Sequence, residues 1–589
     1  MALQDLVRYF EDLVSKGLIP NHGWVNQPIS WVVDVDENGN LLGIYSVRIP
    51  NKKGDKMLPI TVELPAPNKR SSNIAPNFLS DNPGFIVGVE KKGKRDDAGE
   101  RYKASKELHQ RILGSVESDA AKAVAAYFEN WDPTKADELA MIADIKKDLL
   151  AGGNMTFLCN GEYVVRDPAV REAWQSEYDK PEDGDVQVCL VTGEKAALEL
   201  VHPAIKKIAG SDKSQMALVS NNFPASQAYG HEQGACAPIS KREAFAFSYA
   251  LNMLLTDFRH KKEFGDLTVV YWASGADEQY TDMFSAILDG TGNETISDEM
   301  LNDMMTAMSK GENYLFENLP LSPSNDFHIL GLTPSGSRMS VRFYYRSKYG
   351  DIVNHYQQHF KDLEIINDNH SPRWWASLRT LLLETVNQNV DNPKPDPYMA
   401  NCVFDAMLFG GLYPEAMMSQ TMMRIRAERN ISRGKAGMIK AYLLRNTNKH
   451  PDREQLQEVA TVALNEESNY TPYVLGRLFS VLEGVQLSVN PDVGRSVKDR
   501  FFSLASIMPN RAFPTMLKLS QHHLRKLKSE KPGYAVNLSK QIGELTDRIY
   551  TFPVRLTLQE QGAFALGYYH QTQKRFEKKT KTEEEKANA

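Results

Sequence analysis

The sequence has no long hydrophobic run and few cysteines, and these absences exclude several classes of protein. None of its apolar stretches reaches the roughly 18 residues that span a bilayer. The opening MALQDLVRYFEDLVSKG carries Asp5 and Glu11 and lacks the basic and apolar segments of a signal peptide, so it predicts an amphipathic helix. Four cysteines in 589 residues make no disulfide framework. A reducing, cytoplasmic location is therefore expected.

Catalytic signatures are also scarce. The motifs GxxxxGK[ST], HExxH, GxSxG and GxGxxG are absent. Cys159, Cys189 and His202 could supply three metal ligands, but no fourth is evident, and buried thiols are the simpler interpretation. Cys236 and His231 could form a nucleophile and its base, although their five-residue separation alone indicates little. We therefore expect no catalytic residue, metal or cofactor, with a hydrolase at these positions as the alternative.

Charge is unevenly distributed along the chain. The net charge is −6, yet the residues from Tyr470 to the end hold 19 Lys and Arg against 11 Asp and Glu, or +8. Residues 424–449, RIRAERNISRGKAGMIKAYLLRNTNK, hold eight basic residues and one acid. Segregated basic segments in an acidic protein indicate local contact with a polyanion. Solvated surface is the alternative for each of them.

One polar stretch, NKRSSNIAPNFLSDN (68–82), predicts an ordered loop. No acidic residue lies between Leu64 and Ser80, and prolines at 65, 67 and 76 exclude a helix or a central strand. The loop and the inter-strand segment before it offer cationic, hydroxyl and amide side chains: Lys52, Lys53, Lys56, Lys69, Arg70, Ser71, Ser72, Asn73 and Asn77. A structural turn with solvated cations is the alternative.

The apolar periodicity predicts an α+β fold, in which a mixed N-terminal region with short sheets precedes an all-α C-terminal bundle. SWVVDVD and LLGIYSVRI, joined by ENGN, predict a β-hairpin, and strand patterns recur as far as RMSVRFYYR. Beyond a linker at 389–399 almost only helical patterns remain. We predict four segments: a β-rich module (1–115), an α+β domain (116–388), a basic helical segment (395–469) and a helical bundle (470–589).

Within the bundle, helices are predicted at 473–487 and 513–528, the second with Pro514 at its first position. Further helices follow, one marked by the spacing of Tyr534 to Ile549 and one beginning at Thr557, where Glu560 completes a capping box. Lys518, with His522 and Arg525 on the same helical face, should be exposed. The closing KKTKTEEEKANA should be disordered.

Eight stretches together resemble the large subunit of the type I-C CRISPR Cascade effector complex. They occur in family order over nearly the whole chain: MALQDLVRYFEDL, PNKRSSNIAPNFLSDN, CLVTGEKAALELVHPAIKKIAG, LVSNNFPASQAYG, FHILGLTPSGSRMSVRFYYRS, YTPYVLGRLFSVLEGVQ, AFPTMLKLSQHHLRKL and LQEQGAFALGYYHQ. The chain differs from the family at Ser335-Gly336, where the family often has Asn-Ala. This difference affects only a turn.

The resemblance implies a non-catalytic subunit that reads the protospacer-adjacent motif in duplex DNA, supports R-loop formation and recruits a helicase–nuclease. The implied partners are crRNA, target DNA, the Cascade backbone subunits, the handle-binding subunit and a small subunit. The small subunit is made by internal translation from the 3′ part of the same gene. Starting at Met508 would cut the bundle and starting at Met438 would leave a basic leader. A non-AUG codon near 456–469 is favoured, because the core of the bundle begins at Tyr470.

These implications assign roles to the basic segments. In the loop, Lys69 and Arg70 would anchor phosphates, while the polar side chains that follow would read base edges: Ser71, Ser72, Asn73 and Asn77. Lys52, Lys53 and Lys56 would support them. On the bundle, five cations would line a nucleic-acid strand: Arg477, Lys518, Arg525, Lys526 and Lys528. An architectural scaffold that binds only RNA is a further alternative.

Overall fold

The computed structural model describes residues 2–68, 70, 74–89, 98–138, 140–180, 186–227, 230–289, 296–367, 377–491 and 495–587. The chain forms two compact units, of which unit 1 is Met1–Lys206 with Gln215–Met253 and unit 2 is Lys207–Ser214 with Leu254–Ala589. The predicted borders at 115, 388 and 470 lie inside these units. Strands occur as far as Lys348 and every later described element is a helix, which confirms the α+β class.

The described residues of unit 1 form ten strands and six complete α-helices, and a seventh helix begins among them. The strands are β1 (Trp24–Val35), β2 (Leu41–Ser46), β3 (Ile49–Pro50), β4 (Met57–Leu58), β5 (Ile60–Pro65), β6 (Ser80–Asp81), β7 (Asn154–Cys159), β8 (Glu162–Tyr163), β9 (Val186–Val188) and β10 (Lys195–Ala197). The helices are α1 (Ala2–Ser15), α2 (Pro83–Ile86), α3 (Ala98–Leu113), α4 (Asp119–Asn130), α5 (Ala140–Leu150), α6 (Pro168–Tyr178) and α7 (Lys241–Thr256).

The main sheet of unit 1 is built around β1. The first half of β1 pairs antiparallel with β5, and its second half pairs with β2, antiparallel, and with β7, parallel. The Asn-Gly hairpin prediction is confirmed, because the carboxylate of Asp36 closes the β1–β2 turn by accepting the backbone N–H groups of Asn38 and Asn40. Apolar side chains of β1 and β7 pack with Tyr127 and Phe128 of α4 into one core.

Unit 2 contains a four-stranded antiparallel sheet, a short hairpin and thirteen described helices. Its strands are β11 (Lys261–Phe264), β12 (Leu267–Ala273), β13 (Tyr314–Phe316), β14 (Leu319–Leu321), β15 (Asp326–Ser335) and β16 (Arg338–Lys348), and the sheet order is β11-β12-β15-β16. Its helices are α8 (Glu278–Asp289), α9 (Asp298–Ser309), α10 (Tyr349–Leu363), α11 (Leu378–Leu383), α12 (Pro397–Phe409), α13 (Glu415–Glu428), α14 (Arg433–Asn446), α15 (Arg453–Val459), α16 (Thr471–Val489), α17 (Val497–Ile507), α18 (Pro509–Glu530), α19 (Pro532–Asp547) and α20 (Leu558–Ala587).

A single hydrophobic core runs through unit 2 from Leu267 to Tyr569. At its centre α16 packs closely against α20, because Gly476 and Gly567 have no side chain. A Cβ at either position would overlap a backbone carbonyl of the facing helix. The C-terminal bundle therefore shares its core with the helices that precede it.

Two helix boundaries differ from the sequence prediction. Helix α18 begins at Pro509, so Pro514 lies inside the helix instead of at its start. Helix α20 continues to Ala587, whereas disorder was predicted from Lys578. The physical reason is that this segment is rich in Glu and Lys and contains neither Gly nor Pro, a composition that favours helix. The capping box is confirmed, because Thr557 N–H donates to Glu560 Oε2 at 2.6 Å and Glu560 N–H donates to Thr557 Oγ1.

Candidate nucleic-acid interface

The loop after β5 is fastened from within by the carboxylate of Asp81. This side chain is 2% exposed and accepts a hydrogen bond from each terminal nitrogen of Arg70. It also accepts the backbone N–H groups of Asn77, at 2.9 Å, and Asn82, at 2.8 Å. These donors compensate the free-energy cost of burying the carboxylate charge. Asp81 can therefore hold the two ends of the loop together.

Arg70 and Asn77, both predicted to contact DNA, use their side chains inside the loop. The guanidinium of Arg70 bonds to Asp81 and to the carbonyl of Ala75, and it lies 4.0 Å from the centre of the Phe85 ring. Asn77 is 8% exposed, and its Oδ1 accepts the N–H of Asn68 at 2.8 Å. Both residues therefore hold the loop's shape. The other predicted loop positions, Lys69, Ser71, Ser72 and Asn73, lie outside the described residues.

A buried histidine fixes the far end of the loop. Leu79 has a φ of 58°, in the left-handed region, and donates its N–H to Nε2 of His109 at 2.9 Å. The imidazole therefore carries its proton on Nδ1, which donates to the carbonyl of Ser105. Complete burial lowers the pKa of His109 to about 4, so the ring stays a neutral acceptor. Thr156 binds the carbonyl of Leu79, which ties this corner to β7.

The three predicted supporting lysines lie on a hairpin that precedes β5. Strands β3 and β4 form this hairpin, and the Asn51 side chain closes its turn through Asp55. Lys52, Lys53 and Lys56 are exposed, and none of them forms an ion pair with another described residue. Strand β5 follows this hairpin in the chain, and the loop follows β5.

The C-terminal bundle presents a strip of cations on α18. Lys518, Arg525, Lys526 and Lys528 are exposed, as is His522, which confirms the predicted exposure of this face. The opposite face of α18 buries Phe513, Met516 and Leu527 in the core. None of the four cations forms an ion pair within the described part of the chain. We call these four residues the α18 strip.

Arg477, the fifth cation predicted for this surface, lies inside the bundle and is 7% exposed. Its guanidinium donates to the carbonyls of Asn465 and Glu466 and to the side chain of Gln571. The reason is that α16 is the central helix of the bundle and buries residues on all of its faces. Arg477 therefore fastens the segment before α16 and takes no part in the α18 strip.

The basic segment 424–449 is mostly buried in unit 2. This corrects the two sequence interpretations of the segment, as a contact for a polyanion and as solvated surface. Lys440 is 3% exposed and donates to the carbonyls of Lys361 and Asp362, at the end of α10. Arg445 pairs with the Asp362 carboxylate and donates to the carbonyl of Ala406, near the end of α12. These cations donate hydrogen bonds to carbonyl groups at the C-termini of helices, which have no donor within the helix.

Three of the five side chains proposed for catalysis or metal binding have other partners, namely Cys236, His231 and Cys189. The Cys236 thiol donates to the backbone carbonyl of His231, and the His231 ring lies 3.5 Å from the Gln187 amide. The sulfur of Cys189 accepts the N–H groups of Val191 and Ser240. No group of three or more His, Cys, Asp or Glu side chains suited to a metal ion occurs among the described residues.

Membrane insertion receives no support from the helices of the described ranges, none of which is both long enough and apolar enough to span a bilayer. The fold and surfaces define a two-unit α+β protein with exposed cations on a hairpin and on a C-terminal helical bundle. A family model described as CRISPR-associated protein (Cas_Csd1) matches residues 6–576. The chain therefore belongs to this family of CRISPR-associated proteins. A search of curated proteins found no match.

Proposed function

We propose that this chain is the large subunit of a type I-C Cascade and has no catalytic site of its own. Its family membership and the eight resembling stretches support this assignment. In an RNA-guided complex, guide pairing reads the target, so protein needs to read only a short adjacent motif. The partners would be crRNA, target duplex, the backbone and handle-binding subunits, a small subunit and the helicase–nuclease.

The observation that carries the motif-reading role is the internally fastened loop. Arg70 is fixed to Asp81, and the chain is fixed again at Asn77. Ser71, Ser72 and Asn73 connect these two anchors in the sequence. Anchors that are already held lower the entropy cost of binding at the positions between them, and hydroxyl and amide side chains can bond to base edges. We therefore assign base reading to these three positions, with Lys69 at a phosphate.

The hairpin lysines would bind phosphates of the duplex. Ammonium groups contact phosphate oxygens as point charges, and phosphates carry no sequence information. Lys52, Lys53 and Lys56 would therefore contribute affinity that does not depend on sequence. This separates their role from that of the loop.

The test compares two alanine variants in the assembled, guide-loaded complex: Ser71/Ser72/Asn73 and, as the matched control, Lys52/Lys53/Lys56. Duplex affinity is measured with and without the adjacent motif at several salt concentrations. The loop variant should lose the motif preference and keep the salt dependence. The hairpin variant should weaken both duplexes equally, and its salt slope should fall by up to about 3.

Equal discrimination by wild type and the loop variant would contradict the reader assignment. If the wild-type complex itself shows no preference for the motif, the RNA-only scaffold becomes the better description. Loss of assembly in the loop variant would show that the loop serves the fold, and a single Asn73→Ala variant then repeats the measurement with less perturbation.

The α18 strip would bind a strand of the opened duplex, and the same bundle would form the internally translated small subunit. The structure bears on where that product can begin, because Arg477 and Arg548 bind carbonyls of residues 465–468. A product that starts before Asn465 keeps these bonds, which supports a start within 456–464. The intact N-terminal mass of the small product tests this, and a mass corresponding to a start at Met438 would contradict it.

A further inference from the structure

A tyrosine of the bundle is exposed to solvent in a connection that contacts the start of α18. Tyr550 lies in the connection between α19 and α20, and its side chain is 99% exposed. A fully exposed ring gains nothing from packing. Removing the Tyr550 ring should therefore leave the fold unchanged, so a change in binding can be attributed to the loss of the ring itself.

The connection that carries Tyr550 is fastened on both sides. Before it, Arg548 donates to the carbonyls of Glu466 and Ser468. After it, the ring of Phe552 stacks on Phe513, with centroids 5.5 Å apart and planes at 8°. Two backbone bonds join the same connection to the start of α18 and the end of α17: Asn510 N–H to Pro553 and Leu556 N–H to Ile507. The exposed ring is thus presented from a fixed backbone.

The charges around this ring favour an anion. Arg511, next to Asn510, and Arg555 are exposed, and neither forms an ion pair within the described residues. The nearby exposed acids are Glu544 and Asp547 on α19 and Glu466 and Glu467 in the segment that Arg548 binds; of these, Glu544 pairs with Lys540 and Glu466 with Lys574. From Arg511 the α18 strip continues to Lys528, a rise of about 25 Å along the helix. A line of unpaired cations that ends at an exposed aromatic ring is the arrangement that holds single-stranded nucleic acid.

We propose that Tyr550 is a stacking platform for one base of a single strand whose phosphates follow Arg511 and the α18 strip. This inference rests on the proposed strand-binding role of the strip and adds the residue that would engage a base. Stacking on an aromatic ring does not depend on base identity, so the site would hold a strand without reading its sequence. Single-stranded DNA and RNA share this chemistry.

The test uses the full-length chain and fluorescein-labelled single strands of about 20 nucleotides, one of dT and one of rU, measured by fluorescence anisotropy. Tyr550→Leu should weaken binding by about fivefold or more, while Tyr550→Phe, which keeps the ring, should bind like wild type. Because the ring carries no charge, the salt slope of Tyr550→Leu should equal that of wild type. The strand type bound more tightly identifies the source of the strand.

Two controls separate this inference from the proposed function. Tyr534→Leu removes another exposed tyrosine of the bundle and should have no effect. A strand of abasic sites should bind wild type and Tyr550→Leu equally. If Tyr550→Leu binds dT like wild type while alanine at Lys518, Arg525 and Lys528 weakens binding, the strip binds the strand and the stacking role is refuted. If neither variant changes affinity, the strand-binding role fails as well.

Discussion

The bond between Arg70 and Asp81 offers the sharpest test of how the loop is built. Replacing Asp81 with Asn keeps the size of the side chain but removes its charge, and the amide group would face the nitrogens of Arg70. The guanidinium would then keep Ala75 and the Phe85 ring as partners but lose its counter-ion. We expect the loop to lose its fixed shape while the remainder of unit 1 stays folded.

The magnitude follows from the burial of the two partners. Removing one member of a fully buried pair costs about 3–5 kcal/mol. Asp81 is buried but the Arg70 side chain is 25% exposed, so solvent compensates part of the loss and about 2–3 kcal/mol is expected for this pair. For a unit of this size, each kcal/mol lowers the melting temperature by about 2–4 °C. The calorimetric transition of unit 1 should therefore fall by about 4–12 °C.

The assay pairs calorimetry of the full chain with duplex binding by the assembled complex. Asp81→Asn should lower both the unit 1 transition and the preference for the adjacent motif. Asp55→Asn is the matched control, because Asp55 lies exposed in the hairpin turn. It should change neither quantity appreciably.

Arg70→Met decides between a structural cation and a phosphate anchor. If Arg70 braces the loop, this variant should lower the transition about as much as Asp81→Asn, and the double variant should be no worse than either single one. If Arg70 instead binds phosphate, the transition should stay at the wild-type value and the salt slope should fall by about 1. Additive losses in the double variant would mean that the two side chains act independently, which would refute the brace.

Two further predictions concern buried groups. Lys440→Met should lower the unfolding free energy of unit 2 by about 1–3 kcal/mol, because two helix-end carbonyls lose their donor. Its affinity for single strands should stay at the wild-type value, and a loss there would contradict an internal role. The unfolded state has the higher His109 pKa, near 6.5, so stability is complete above that pH and falls as pH drops towards 4. Acid titration followed by calorimetry should show a loss of about 3 kcal/mol that His109→Gln reduces.

Much of the fold was predictable because its signals are local. The Asn-Gly pair between two alternating runs indicated the β1–β2 hairpin, and Thr557 with Glu560 indicated the start of the last helix. The exposure of Lys518 and Arg525 followed from helical spacing on a helix with one apolar face. Each of these features depends on residues within a few positions of one another.

The candidate site was less predictable, because charge in a sequence does not tell where a side chain points. The loop was predicted, but the partner of Arg70 is Asp81, eleven residues away. Arg477 and Lys440 have the same composition signal as the α18 strip, yet both lie in the core of unit 2. Nothing in the sequence near these residues signals that their acceptors are the carbonyls of other segments.

By itself, the sequence determined the α+β class, the periodic helices and strands and the family to which the chain belongs, because these depend on local propensity and on residue order. Only the tertiary structure decided which cations remain available to a polyanion. Arg70, Arg477 and Lys440 form hydrogen bonds to a carboxylate or to backbone carbonyls within the protein, so they stabilise the fold. The exposed cations of the hairpin and of α18 contact only water, so they can form ion pairs with a polyanionic partner.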